Sequence, residues 1–519
     1  MNDLKKALLC IFVLLTVIFS SVITTYAYEI EPPYYVPEDK GEIAAVGTDT
    51  EAPYPAASVS TVPKIEIVTE NGNGIQLLKA DGYINATINI TDTDGSVLKD
   101  NILFKVRGNS TAIDSIQKKA FTFKFEKKKE VLGMGKGKKW AMLANCFDPT
   151  LLRNYLVFDL AREMGLPYTS EQRFAELWLD GEYRGCYTVY EPVQEGKDRV
   201  DIDIESNDGK KDFLLEYEAS RTEADVTYIT AGGLRFALKD PEEPDSEQTA
   251  YVTDIMTDIA NTLKSGDEEA IRARIDVDSF AKFYLLNEYA KTADFGLSSV
   301  FFFYKDGMLY AGPPWDYDLA LGNINGDLSS STKATSVTDG IMQNNKNFYR
   351  WLCGKEWFQA EIKRVYYQYY PYIENISAEG GLLDALREQY TDVFANNFKK
   401  WSVGRWWLNY QKVPFKTYDE NFNFLKSWCR ERNEWLTEYY GIVPNAPLLG
   451  DADMDREVTV IDVTCIQRRL AGVPLSVAIN EAVCDIDGNG VIEISEATFI
   501  QRYVGSIPVS YPIGAPITE

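Results

Sequence analysis

Two acidic loops near the C-terminus carry the most specific chemistry in the sequence. Asp451-Ala452-Asp453-Met454-Asp455 and Asp485-Ile486-Asp487-Gly488-Asn489 are offset by 34 residues, and Ile466-Gln467-Arg468-Arg469-Leu470 and Ile500-Gln501-Arg502-Tyr503-Val504 repeat at the same offset. A calcium loop needs side-chain oxygens at positions 1, 3, 5, 9 and 12 and a backbone carbonyl at 7, because a hard cation takes six to eight oxygens. The first loop offers Asp451, Asp453, Asp455, the Glu457 carbonyl, Thr459 and Asp462. The second offers Asp485, Asp487, Asn489, the Val491 carbonyl, Glu493 and Glu496, with Gly490 at the left-handed turn position. Arg456 occupies that position in the first loop, so the first site is expected to be the weaker.

A second set of carboxylates lies mid-chain. Asp294 ends the run Asn287-Glu288-Tyr289-Ala290-Lys291-Thr292-Ala293-Asp294, and Asp316 and Asp318 follow in Pro313-Pro314-Trp315-Asp316-Tyr317-Asp318. Two carboxylates one residue apart at a strand end can share a divalent metal, and a separate Asp can orient a hydroxyl nucleophile, the division of labour that phosphoryl transfer uses. Residues 101–139 hold eleven Lys or Arg against three acids, a reversal of sign in an acidic chain. Lys119 shares strand parity with Phe121, Phe123 and Phe125, which predicts an inward ammonium needing a carboxylate partner. Glu191 is the candidate partner, with Glu216 and Glu218 as rivals.

The rest of the chain must position these groups. Its 519 residues allow two to four domains, and 45% apolar and 13% aromatic residues suffice for large cores. The formal charge of -25 argues against nucleic acid or an anionic membrane as partner, and the absence of histidine removes His-based triads, His-ligated zinc and imidazole acid/base chemistry. Lys5 and Lys6 before the apolar run Ala7–Ile23 and the small Ala27 predict a signal peptide over 1–27, hence a secreted chain with no stable membrane anchor after cleavage. A Pro/Ala/Glu-rich linker is expected over 28–62. Period-two segments at 64–68, 83–90, 102–107 and 120–125 predict strands, followed by a helix over 151–164 and strands at 174–179, 187–190 and 213–217. Helices dominate 251–289 and 347–440, with a strand pair at 300–304 and 308–310, so the 63–440 block reads as α+β. A short linker over 441–449 precedes a small all-α unit over 450–510 and a tail over 511–519. Six cysteines outside the leader, with no CxxC, argue against a disulfide-dense scaffold.

The duplicated loop-helix unit resembles the type I dockerin of cellulosomal proteins, which has EF-hand-like loops. That resemblance implies two bound Ca2+ and docking onto a cohesin module of a scaffoldin through Val460, Ile461, Arg468, Arg469, Ile494, Ser495 and Arg502. Residues 64–440 resemble the spore-coat CotH kinase family through Arg107-Gly108-Asn109-Ser110-Thr111, Lys118-Lys119 and Asp148-Pro149-Thr150-Leu151-Leu152-Arg153-Asn154. Gly181-Glu182-Tyr183-Arg184-Gly185-Cys186-Tyr187 and Trp315-Asp316-Tyr317-Asp318 continue the match. This resemblance implies an atypical protein-kinase-like fold that binds ATP with Mg2+ or Mn2+ and phosphorylates Ser or Thr on exported proteins. Lys119 would contact phosphates, Glu191 would hold Lys119, Asp294 would be catalytic, and Asp316 or Asp318 would hold metal. Ser299 stands where kinases place a metal-binding Asn, and it is a poorer ligand.

Two other classes compete. One is an inactive structural or adhesion component of a cellulosome. The other is a carbohydrate-active enzyme of polysaccharide breakdown, with Glu191 and Glu216 as the carboxylate pair and Trp401, Trp406 and Trp407 as sugar platforms. Those tryptophans fit a helical core better.

Overall fold

The computed structural model describes the strand Tyr34–Tyr35 (β1) and residues 61–519, apart from 205–210, 220, 326–334, 409–410, 445, 476, 506, 508, 516 and 518–519. The expected leader and nearly all of the 28–62 linker lie outside the described residues.

Apolar residues at every second position give the early strands one buried face each, and seven of them satisfy it by closing on themselves. The strands β2 (Lys64–Thr69), β3 (Ile84–Thr91), β4 (Val97–Arg107), β5 (Ala120–Val131), β6 (Met134–Leu143), β7 (Gln172–Leu179) and β8 (Glu182–Tyr190) form a barrel in the order β2-β3-β4-β5-β6-β8-β7. A parallel pairing of Lys64 with Glu176 through Ile67 with Leu179 shuts it. The interior is filled by Ile65, Ile67, Ile88, Phe104, Phe121, Phe123, Trp140, Leu177 and their neighbours, as a small barrel requires. Period-two patterning anticipates these strands apart from β6, and does not anticipate their closure.

The second layer is an open sheet in the order β10 (Tyr228–Ala231), β11 (Leu234–Asp240), β9 (Phe213–Tyr217), β12 (Val300–Lys305), β13 (Met308–Ala311). Helices α1 (Arg153–Glu163), α2 (Ser246–Ser265), α4 (Val277–Ala290), α6 (Glu356–Ser377), α7 (Leu382–Lys400) and α8 (Tyr418–Tyr440) share one large core with it, and the short α3 (Glu268–Arg272) and α5 (Tyr349–Leu352) fill its edges. α4 is buried on almost every side, which explains why its sequence is apolar all round. Asp245, Asp276 and Thr417 cap α2, α4 and α8 with side-chain oxygens, and Gly266 and Gly441 end α2 and α8 in the left-handed conformation. A two-residue strand β14 (Trp407–Leu408) pairs with β1.

The C-terminal unit packs α9 (Val460–Leu470) against α10 (Ile494–Val504), and its core repeats the sequence repeat. Ala452 and Ile486, Val463 and Ala497, and Ile466 and Ile500 are buried pairs, each offset by the same 34 residues. The segment expected as a tail is part of this fold. Ile513 is buried, Leu449 N donates to the Ala515 carbonyl at 2.9 Å, and Gly514 N donates to the Leu449 carbonyl at 2.8 Å. All six described cysteines are free thiols. Among the described residues no helix is long and apolar enough to cross a membrane.

Candidate functional site

The mid-chain carboxylates arrive from three places. Asp294 lies on a single 3-10 turn, Ala293–Gly296, after α4, while Asp316 and Asp318 follow β13 through Gly312-Pro313-Pro314. The Ser299 hydroxyl lies near the Asp316 carboxylate and favours its charged form, and Ser299 precedes β12 with its backbone N–H on Glu216 Oε1 at 3.2 Å. Both Asp316 (φ 68°) and Ser299 (φ 62°) are left-handed, a costly conformation for these residue types that their surroundings must enforce.

The charges are crowded. Burial, then the neighbouring Asp316 carboxyl, pushes Asp294 up to about 6. Burial raises Asp316 against the pull of Arg107 and Arg221. Asp318 is raised well above the usual carboxylate range by burial and by Asp316, Asp294 and Asp148. Three half-buried acids thus share too little positive charge, although their oxygens do not gather within 4.8 Å of one another as those of the two C-terminal loops do.

The Asp148–Asn154 segment is what holds the Asp316–Asp318 loop. Asp148 accepts from Thr150 N, Thr150 Oγ1 and Arg153 N, then pairs with Arg153 Nη1 at 2.6 Å in a fully buried bridge. Arg153 Nε donates to the Ala320 and Leu321 carbonyls, and Asn154 Oδ1 accepts from Tyr317 N at 2.7 Å, between the two acids. These are positioning residues.

Lys119 is buried as strand parity predicted, but its partners are not carboxylates. It precedes β5, and its ammonium donates to the Ala112 carbonyl at 3.0 Å and to the Ile113 carbonyl. Glu191 accepts from Glu171 N at 3.2 Å and has Arg199 as its cationic neighbour, so the expected Lys119–Glu191 pair is not formed. The backbone turn after β4 supplies carbonyls closer to Lys119 than any carboxylate. Glu216 and Glu218 do not replace Glu191: Glu216 pairs with Lys239 at 3.2 Å and Glu218 lies beside Arg221. The cations that act on Asp316 are Arg107 and Arg221, and the Arg107 guanidinium lies 5.3 Å from the ring centroid of the adjacent Trp315. Its outward parity on β4 was readable, but no sequence feature shows that the 315–318 loop folds over it.

Lys118 and the Gly181–Tyr187 motif fasten the barrel to α7. Lys118 Nζ donates to the Cys186 carbonyl and to Asn397 Oδ1, both at 2.8 Å, and burial brings its pKa down to about 8. Gly185 (φ 94°) is required there, since a Cβ would lie 2.6 Å from Asn397 Oδ1. Trp401 and Trp406 are buried in a cluster with Ile116, Phe147 and Leu408, which leaves no face for a sugar.

The two acidic loops have matching geometry. Asp455 N and Arg456 N donate to the Asp451 carboxylate at 3.1 and 2.9 Å, and Asn489 N and Gly490 N to Asp485 at 3.0 and 2.8 Å. Oxygens of Asp451, Asp453 and Asp462, and of Asp485, Asp487 and Glu496, lie within 4.8 Å of one another. Glu496 Oε1 is buried without a hydrogen-bond partner, an orphaned acceptor that a cation would satisfy. Burial, with repulsion from Asp462, Asp455 and Asp453 adding to it, pushes Asp451 up to about 6. Asp455 instead turns one oxygen to Glu457 N at 2.9 Å. Thr459 and Glu493 cap α9 and α10 in equivalent boxes.

A profile of the CotH kinase protein family matches residues 104–436, spanning the barrel's later strands, the open sheet and the helical core. The chain belongs to the CotH kinase protein family. A dockerin type I domain profile matches residues 449–505, the repeated loop-helix unit. No curated protein matches the chain. The chain thus joins a CotH region to a C-terminal dockerin.

Within the dockerin, Val460, Ile461 and Ile494 are exposed at 61%, 53% and 61%, and Arg468, Arg469 and Arg502 also face solvent. Ser495 is half-buried on Glu496, and Arg469 pairs with Glu481 at 2.7 Å. Arg456 adopts φ 74°, where Gly490 has 83°, so the expected conflict at position 6 is real. Arg456→Gly should remove roughly 1–2 kcal/mol of left-handed strain and so tighten calcium at the first loop about fivefold or more. Calorimetric titration of the calcium-stripped chain reads this as the two sites moving closer in affinity.

Proposed function

We propose that this CotH–dockerin chain is a secreted, scaffold-borne phosphotransferase that moves a phosphoryl group from ATP to Ser or Thr hydroxyls of exported proteins. The observation that carries this reading is the nearness of the half-buried Asp294, Asp316 and Asp318 carboxyls, close enough to raise one another's pKa, with the Ser299 hydroxyl beside Asp316. Asp316, Asp318 and Ser299 would hold Mg2+ or Mn2+, which supplies charge neutralisation on the phosphates. Asp294 would orient the acceptor hydroxyl and take its proton. Arg107, the cation beside Asp316, takes the phosphate-facing role first assigned to Lys119. The dockerin, loaded with calcium, would attach the chain to a cohesin module of an extracellular scaffoldin through Val460, Ile461, Ile494 and the flanking arginines, and a part in polysaccharide breakdown would then belong to the assembly.

Incubation with ATP and Mn2+ followed by intact-mass spectrometry tests the enzyme. Transfer to the chain itself or to exported proteins is expected from the parent and a loss of at least a hundredfold from Asp294→Asn and Asp316→Ala, since each removes a group acting at the reacting atoms. Equal labelling in parent and variants rejects the assignment. A second reading, an inactive structural component, is favoured by the unformed Lys119–Glu191 pair and by Ser299 at the metal position. It predicts no transfer and no ATP-induced rise in melting temperature.

A further inference from the structure

The sign reversal over 101–139 leaves most of its charge unused by the site. On β4, alternation turns Lys99, Asn101, Leu103, Lys105 and Arg107 outward, because Ile102, Phe104 and Val106 fill the barrel. On β5 and β6, Lys124 and Lys139 are direct register partners, and Lys124 also lies opposite Leu103 of β4. The result is a cationic face on three adjacent strands. Lys129 and Lys239 nearby have carboxylate partners, Asp100 at 2.9 Å and Glu216 at 3.2 Å. No ion pair among the described residues engages Lys99, Lys105, Arg107, Lys124 or Lys139. The charges nearest Lys105 are Arg107, Lys79 and Lys124, all of its own sign, and Lys139 has Glu242 against Arg107, Lys105 and Lys239. Like charges gathered on one face cost free energy unless an anion lies over them.

Length identifies the anion. Lys99 to Arg107 is nine residues of extended strand, eight steps or about 26 Å at about 3.3 Å each, far beyond the reach of one triphosphate. The face ends at Arg107, which faces Asp316, so a linear polyanion lying on it would enter the carboxylate site at one end. Leu103, 39% exposed among the lysines, suits a polypeptide. One face of Tyr83, where a sugar ring would stack, is covered by Lys105 Nζ at 4.4 Å.

We propose that the outer face of β4, β5 and β6 is a docking surface for an extended, Asp/Glu-rich segment of a partner polypeptide, and that this segment leads an acceptor hydroxyl toward Asp294. The second half of that statement rests on the phosphotransfer reading; the docking does not. The test uses the full chain without nucleotide and a fluorescein-labelled peptide of about nine residues, glutamates around one central serine, long enough to cover the face at about 3.3 Å per residue. Anisotropy should show binding that weakens as salt rises, tenfold or more loss in Lys124→Glu/Lys139→Glu, a smaller loss in Lys124→Gln/Lys139→Gln, and no change in Lys399→Glu, an exposed lysine on α7. Melting temperatures equal to the parent's show that the variants are folded. Equal binding by the charge-reversed variant, or by a glutamine version of the peptide, overturns the proposal. Displacement of the peptide by oligogalacturonate at lower concentration than by unlabelled peptide also overturns it, in favour of an acidic polysaccharide. Because no ATP is present, a dead kinase with intact peptide binding separates failure of the catalytic reading from failure of this one.

Discussion

Arg432→Ala is expected to destabilise the CotH region by about 3–5 kcal/mol, the cost of leaving one member of a buried ion pair alone. Arg432 on α8 and Glu288 on α4 are both fully buried and meet at 2.7 Å. The guanidinium also donates to the Thr338, Gly340 and Glu288 carbonyls, and the Glu288 carboxylate accepts from Met342 N and Gln343 N. The pair therefore ties two helices to the 338–343 segment, and the alanine variant loses every bond to that segment made by Arg432 while Glu288 stays desolvated. Glu288→Met/Arg432→Met should cost markedly less, because removing both charges also removes their desolvation. Calorimetric melting of the two variants against the parent checks this. A double variant as unstable as Arg432→Ala would show that the hydrogen bonds, and not the stranded charge, dominate.

Calcium removal is expected to melt the dockerin and leave the CotH region folded. The dockerin core is small, built around two short helices, so its burial leaves only a marginal stability that a metal or disulfide must add to, and Cys465 and Cys484 are free thiols. Without the cation, Asp451, Asp453 and Asp462 face one another with raised pKa values, burial being the first cause. Each site filled at a hundred times its dissociation constant adds about 2.7 kcal/mol, all lost in chelator. Calorimetry with and without EGTA should show a low transition disappear while the main one stays. Glu496→Gln should shift the low transition more than Asp455→Asn does, since Glu496 belongs to its carboxylate cluster and Asp455 does not. An unchanged thermogram in EGTA rules out calcium as the folding partner.

The repeat at 34 residues made the two loop-helix units of the dockerin legible, because loop, cap and core positions lie close in sequence and share one register, but it did not show that Ile513 and its neighbours pack onto them. Strand parity likewise indicated which faces of β2 to β5 are buried, as with Ile102, Phe104 and Val106 on β4, whereas the Gly- and Lys-rich β6 gave no such signal. Parity gave the burial of Lys119, one residue before β5, but not its partner, because a local turn offered carbonyls and the ammonium took them. What only the tertiary structure decided are contacts between segments far apart in the chain. These include the barrel closure by β2 and β7, the nearness of Asp294, Ser299 and Arg107 to Asp316, and the use of Asp148, Arg153 and Asn154 to hold the acid loop. Periodicity states which side of an element is buried but not against what, so a pair such as Lys119 and Glu191 can be chemically sensible and still be kept apart by packing.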